Sequence, residues 1–185
     1  MGKIIAVAQH KGGTGKTTTC INLGASLCDG GKTVLVIDLD PQASLTVSMG
    51  INPLQVETSI HQVLVDPNVA IKDAILPTST PNFFMVPSQV DLAMAESELA
   101  GKIGRERALN KKIAPIKKDF DYIFIDCPPT LGILTVNALT AADSVLIPIQ
   151  CEPLTLYGVK HMLQIINLIR EDVNPSLKIE GGRRT

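Results

Sequence analysis

Lys11-Gly12-Gly13-Thr14-Gly15-Lys16-Thr17-Thr18 follows an apolar run, Ile4-Ile5-Ala6-Val7-Ala8, and precedes a helix-like pattern that reaches residue 29. Strand, glycine-rich turn and helix in that order is the geometry of a phosphate-binding loop. Glycines at 12, 13 and 15 permit positive φ angles and let backbone N–H groups converge on one anion. The N-terminus of the following helix adds a partial positive charge. Lys16 is placed to reach β- and γ-phosphates, and the Thr17 hydroxyl to ligate Mg²⁺. The commoner form of this loop has glycine five residues before Gly15. Here His10 occupies that place, and a second lysine, Lys11, precedes the Gly-Gly pair. A lysine so placed can point away from its own nucleotide and toward one held by a facing subunit.

The 185 residues suit one domain, 1–185, with a proper core. Apolar residues make up 45% of the chain and only 3% are aromatic, so Ile, Val, Leu and Ala must build that core. Seventeen basic residues against 18 acidic ones give a net charge of −1, which carries no nucleic-acid signature in bulk. Cys20, Cys28, Cys127 and Cys151 show no C-x-x-C spacing, and with three scattered histidines they form no recognisable zinc site. They read as reduced and structural, in a cytoplasmic protein. An iron–sulfur role for Cys127 between two subunits is the minor alternative. No apolar run approaches the roughly 20 residues a membrane helix needs, and no signal peptide is visible.

Residues 3–9 read as a buried strand and 16–29 as a helix stopped by Gly30-Gly31. Thr33 to Asp38 is a second continuous apolar strand. Runs without alternation belong to parallel sheets covered on both faces. Residues 43–50 and 58–65 read as short helices, Phe83 to Val86 as a third strand, and 89–118 as a polar helix broken near Gly101 or Gly104. Tyr122 to Asp126 is a fourth strand, 131–141 a short helix, Ser144 to Ile149 a fifth strand and 155–172 a long amphipathic helix. Leu177-Lys178-Ile179 begins a sixth strand. The alternation predicts an α/β fold, a mostly parallel central sheet with helices on both faces. Its functional loops should gather at the C-terminal edge of the strands.

Phosphate hydrolysis needs a metal-orienting acid and a group that positions water. Asp126 closes an apolar strand, where a carboxylate would hold Mg²⁺ through a water ligand. Asp40, in Val36-Ile37-Asp38-Leu39-Asp40-Pro41-Gln42, would emerge toward the γ-phosphate to orient or deprotonate the attacking water and to approach the metal. Asp38 reads as a supporting polar residue. The competing interpretation of Asp40 is a helix N-cap, and that of Asp126 a strand-end turn.

These elements together resemble the deviant-Walker-A, P-loop ATPases of the ParA/Soj chromosome- and plasmid-partition family. The matches are KGGTGKTT with NLG behind it, VLVIDLDPQ, IFIDCPPTLG and, more loosely, PIQCEPLTLYG. The resemblance implies a Mg²⁺-dependent ATPase whose ATP is sandwiched in a homodimer. Lys11 would contact the partner's phosphates, and Gly12 would sit at the seam. Gly13, Thr14, Gly15, Lys16, Thr17 and Thr18 would hold phosphate and magnesium, with Asp40 the water-activating acid and Asp126 the second metal-site acid. It also implies non-specific DNA binding by the ATP dimer, slow hydrolysis stimulated by a ParB-type centromere-binding protein, and a nucleoid-associated location without membrane contact.

The family's chain continues past the sixth strand, whereas this one ends in Gly181-Gly182-Arg183-Arg184-Thr185, so a C-terminal truncation that weakens DNA binding is expected. Gln9 and His10 stand where the family usually has Asn and Gln. Lys102, Arg105, Arg107, Lys111, Lys112, Lys117 and Lys118 form the one basic-rich stretch, read first as a solvated helix face. Glu152 is a weaker candidate for the nucleotide ribose. The alternatives in function are a MinD-like membrane-cycling ATPase of division-site placement, a reductase resembling nitrogenase iron protein, and a truncated nucleotide-binding remnant.

Overall fold

The structure, a computed structural model, describes residues 2–149 and 155–180, the side chains of 155–157 excepted. Cys151, Glu152 and the terminal Gly181–Thr185 segment lie outside the described residues. Among the described residues seven strands form one sheet: β1 (Lys3–Val7), β2 (Val34–Asp38), β3 (Leu76–Pro77), β4 (Phe83–Val86), β5 (Tyr122–Asp126), β6 (Ser144–Leu146) and β7 (Lys178–Glu180). Their order is β3-β4-β2-β5-β1-β6-β7. All pairs are parallel except β3 with β4. The helices are α1 (Lys16–Asp29), α2 (Ser44–Ser48), α3 (Ile60–Val65), α4 (Ala95–Ala100), α5 (Ala108–Ile113), α6 (Ile133–Ala141) and α7 (Thr155–Asp172).

Strand residues alternate between two apolar layers, which is why the strands read as continuous apolar runs. Ile5, Val7, Val34, Val36, Met85 and Phe124 meet Cys20 and Cys28 of α1 and Leu45 of α2 on one face. Ile4, Ala6, Leu35, Ile37, Ile123 and Ile125 meet residues of α3, α5, α6 and α7 on the other. Full burial of a large aliphatic side chain contributes roughly 1.5–3 kcal/mol, so these two layers carry the fold. Gly24 lets α1 lie close against the sheet, since a Cβ there would come within 2.5 Å of the Phe83 ring.

The structure departs from the sequence expectation in three places. β3 is an antiparallel edge strand too short for any periodicity to reveal. The expected strand over 144–149 stops at Leu146, and Pro148 has no N–H to extend the ladder. The 89–118 segment is helical and broken between Ala100 and Arg105, as Gly101 and Gly104 predict, but it runs in short pieces and is not polar throughout. It buries Leu92, Leu99, Leu109 and Ile113. Cys20, Cys28 and Cys127 are buried free thiols. Burial first, then the nearby Asp126 carboxylate, pushes the Cys20 and Cys127 thiols up. Cys127 is completely buried, so it has no surface from which to ligate a cluster shared with another subunit. Among the described residues no helix is long and apolar enough to cross a membrane.

Candidate nucleotide site

The site lies at the C-terminal edge of β1, β2 and β5, where the fold class places ligands. Residues 10–15 turn from β1 into α1. Gly13 (φ 72°) and Gly15 (φ 86°) hold left-handed conformations that bend the chain around an open cradle. A Cβ at Gly12, Gly13 or Gly15 would meet nothing within 4 Å, so the space over the loop is free for an anion. Gly15 is the N-cap of α1 and supplies no side-chain bond to the helix, leaving the first-turn N–H groups to a ligand. The Thr14 hydroxyl donates to the Lys11 carbonyl at 3.3 Å and braces the loop. His10 packs edge-on against His161 of α7, with ring centroids 5.6 Å apart.

Lys16 is 8% exposed and Asp126 1%. The Thr17 hydroxyl donates to Asp126 Oδ2 at 2.6 Å, and Asp126 Oδ1 is a buried oxygen without a hydrogen-bond partner. A hydroxyl and a carboxylate held together, with one oxygen unsatisfied, suit a hard, oxygen-seeking cation such as Mg²⁺. Asp38 and Asp126 stand in register on neighbouring strands. Burial, above all, pushes the Asp126 carboxyl up to about 7; Thr17 donation and Lys16 oppose the rise, and Asp38 and Asp40 add to it. Burial likewise raises Asp38 to about 6, against three hydrogen bonds from Thr46 and Asp40.

Asp40 is half-buried in the turn after β2. Its Oδ1 accepts the Gln42 N–H at 2.9 Å, and its carbonyl accepts the Ala43 N–H at 2.9 Å. Ala43 takes φ 52°, a left-handed value that reverses the chain into α2. Asp40 and Pro129 share a cavity of about 280 Å³ with residues 12–18 and Ser44. The structure thus brings Gly12, Gly13, Thr14, Gly15, Lys16, Thr17, Thr18 and Asp40 to one cavity, with Asp126 bonded to Thr17 beneath it. Lys11 starts the loop, half-buried. Sequence reasoning missed Ser44 and Pro129, which line the same cavity. Pro129, in the Pro128-Pro129 turn after β5, was the more accessible of the two, because that turn leaves the same sheet edge.

A carboxylate must be ionised to hold a metal, so if Asp126 takes that role its raised value gives a sign to the pH dependence. Below pH 7 the native carboxyl is protonated, so magnesium must displace a proton. Mg²⁺-dependent nucleotide affinity should therefore weaken by about tenfold per pH unit as pH falls below 7. Metal-free nucleotide binding should change much less. Titration calorimetry at pH 6, 7 and 8, with magnesium and with EDTA, checks this. A Mg²⁺ increment independent of pH would contradict it.

Part of the basic-rich stretch serves internal bonds. Lys102 donates to the Val65 carbonyl, Lys112 to the Asp66, Pro67 and Val69 carbonyls, Arg105 to the Ala100 carbonyl, and Lys117 to Asp143 at 2.7 Å. Arg107, Lys111 and Lys118 are exposed.

The chain is 47% identical over 181 residues to the sporulation initiation inhibitor protein Soj of Bacillus subtilis, across 98% of this chain and 71% of that protein. It is 42% identical to the chromosome partitioning protein ParA of Myxococcus xanthus, across 98% of this chain and 64% of that protein. A solved Mycobacterium smegmatis protein named cobyrinic acid a,c-diamide synthase, holding an ATP analogue and magnesium, superposes with a TM-score of 0.94. That match has 42% identity and covers 100% of this chain and 78% of the other. The AAA domain family (AAA_31) matches residues 2–179. With a phosphate-loop cradle on a mostly parallel sheet and this identity over nearly its whole length, the chain belongs to the ParA/Soj family of AAA-domain ATPases.

Proposed function

We propose that this chain hydrolyses ATP slowly, as a dimer that clasps its nucleotides between subunits, in the partition of a chromosome or plasmid. The observation that carries the reading is the Thr17–Asp126 pair lying under an open glycine cradle, with Asp40 in the same cavity. Lys16 and the loop N–H groups would bind the phosphates, and Asp40 would take the proton of the attacking water as the β–γ phosphate bond breaks. Thr17 and Asp126, with Asp40 nearby, would hold magnesium, which when bound neutralises charge on the phosphate oxygens. Lys11 would reach the partner's phosphates across a seam at Gly12. The homodimer, a ParB-type activator, non-specific DNA as the surface it binds and a cytoplasmic, nucleoid-associated location come from the ParA/Soj likeness.

Lys11→Ala tests the shared pocket. Nucleotide binding should persist within about threefold, while the nucleotide-dependent dimer weakens by at least about tenfold, because its charge acts across the interface. Sedimentation velocity with a non-hydrolysable analogue checks it, and an undiminished dimer would contradict the shared pocket. The similarity to the Mycobacterium smegmatis protein supports a second reading, ATP-dependent amide synthesis on a carboxylate substrate. ATP turnover stimulated by DNA and a ParB-type protein favours partition, and turnover stimulated by cobyrinic acid with an ammonia donor favours synthesis.

A further inference from the structure

Asp40 is held at both ends of its backbone by a buried ring of hydrogen bonds that joins three separate elements. Its N–H donates to Asp38 Oδ1 at 3.2 Å. Asp38 Oδ2 accepts the N–H and hydroxyl of Thr46, from α2, at 2.8 and 2.7 Å. The Thr46 hydroxyl, its proton thus committed, accepts the Ser88 N–H at 2.9 Å. The Ser88 hydroxyl then donates to the Asp40 carbonyl at 2.7 Å and closes the circuit. Asp38, Thr46 and Ser88 are each 0% exposed. Ser88 lies just past β4, beyond Pro87, whose carbonyl accepts the N–H of Ile60 at the start of α3.

We propose that Thr46 and Ser88 are positioning residues for hydrolysis, fixing the Asp40 backbone so that its carboxylate stays aimed into the nucleotide cavity. The inference rests on the reading of Asp40 as the water-activating acid. Every polar atom in the ring has one direction of donation available, and a circuit of this kind in a low-dielectric interior resists rearrangement. An isolated Asx turn would hold the Asp40 side chain against its own loop but would leave that loop free to shift. The ring instead ties the loop to two strands and a helix. A shift of an ångström at a reacting group can cost as much as a hundredfold in rate.

Four variants test it, with Asp40→Ala alongside. Ser88→Ala and Thr46→Val should each lower kcat by about tenfold, while the dissociation constant for a non-hydrolysable ATP analogue stays within about twofold. Thr46→Ser, which keeps the hydroxyl, should restore kcat. In an Asp40→Ala background, Ser88→Ala should cause no further loss of residual turnover, because it acts through Asp40. Unchanged kcat in both Ser88→Ala and Thr46→Val overturns the proposal. So does a parallel fall of kcat and nucleotide affinity, or the unfolding of both variants while Thr46→Ser folds, since either outcome marks the ring as scaffold. If one of the two variants unfolds, the other decides. Wild-type turnover in Asp40→Ala would instead remove the parent reading.

Discussion

Asp40→Ala is expected to lower ATP turnover by about a hundredfold or more while leaving nucleotide binding intact. A positioned general base contributes roughly 10²–10⁴ to rate. Asp40 shares the cavity with the glycine loop, and in the proposed reading the loop and Lys16, not Asp40, would supply the phosphate contacts. Removing the carboxylate takes a negative charge away from the site of three phosphates, so affinity should hold or rise. Trapped nucleotide should lengthen the life of the dimer. Release of inorganic phosphate, measured beside analogue binding, separates the two effects. Wild-type turnover would end the role given to Asp40.

Lys16→Ala should act one step earlier. Lys16 opens α1 and is buried, and its charge works to lower the Asp126 carboxyl. Charge-assisted bonds to phosphate contribute roughly 1.5–3 kcal/mol each, and two of them lost correspond to at least about a hundredfold in affinity. Turnover would fall with binding, so the variant serves as the blank for every hydrolysis measurement. Equilibrium binding of a fluorescent ATP analogue checks it; affinity within threefold of wild type would contradict the phosphate role.

The opposite phenotypes expected of Asp40→Ala and Lys16→Ala follow from where each residue sits in the fold. Lys16 is delivered by a local signal: a strand, three glycines and a helix within 30 residues. That is why the loop was legible from spacing alone, down to the helix bounds Lys16–Asp29. Asp126 was legible for a similar reason, at the end of an apolar strand whose neighbours were equally plain. Covered faces on both sides made β1, β2, β4 and β5 uniformly apolar, and such runs announce themselves.

What stayed hidden depends on contacts distant in sequence. Thr46 meets Asp38 only because α2 folds back under β2, and Ser88 meets Asp40 from 48 residues away. Neither carries a spacing that marks it, although Ser88 follows a strand at the edge where ligands gather. In 89–118 the helical character and the break were legible from Gly101 and Gly104, but the apolar face was not, because its lysines and arginines outnumber the apolar residues it buries. Several of those cations bond main-chain carbonyls of 65–69 and Ala100, so charge in the sequence overstated charge offered to solvent.

The measurement closest to the central claim is titration of the purified wild-type chain with a non-hydrolysable ATP analogue, in magnesium and in EDTA, followed by sedimentation velocity. The expected result is nucleotide on every chain and a shift from monomer to dimer that requires magnesium. No uptake of the analogue with magnesium present would contradict the claim that this glycine loop, with Thr17 and Asp126 beneath it, is a working triphosphate site.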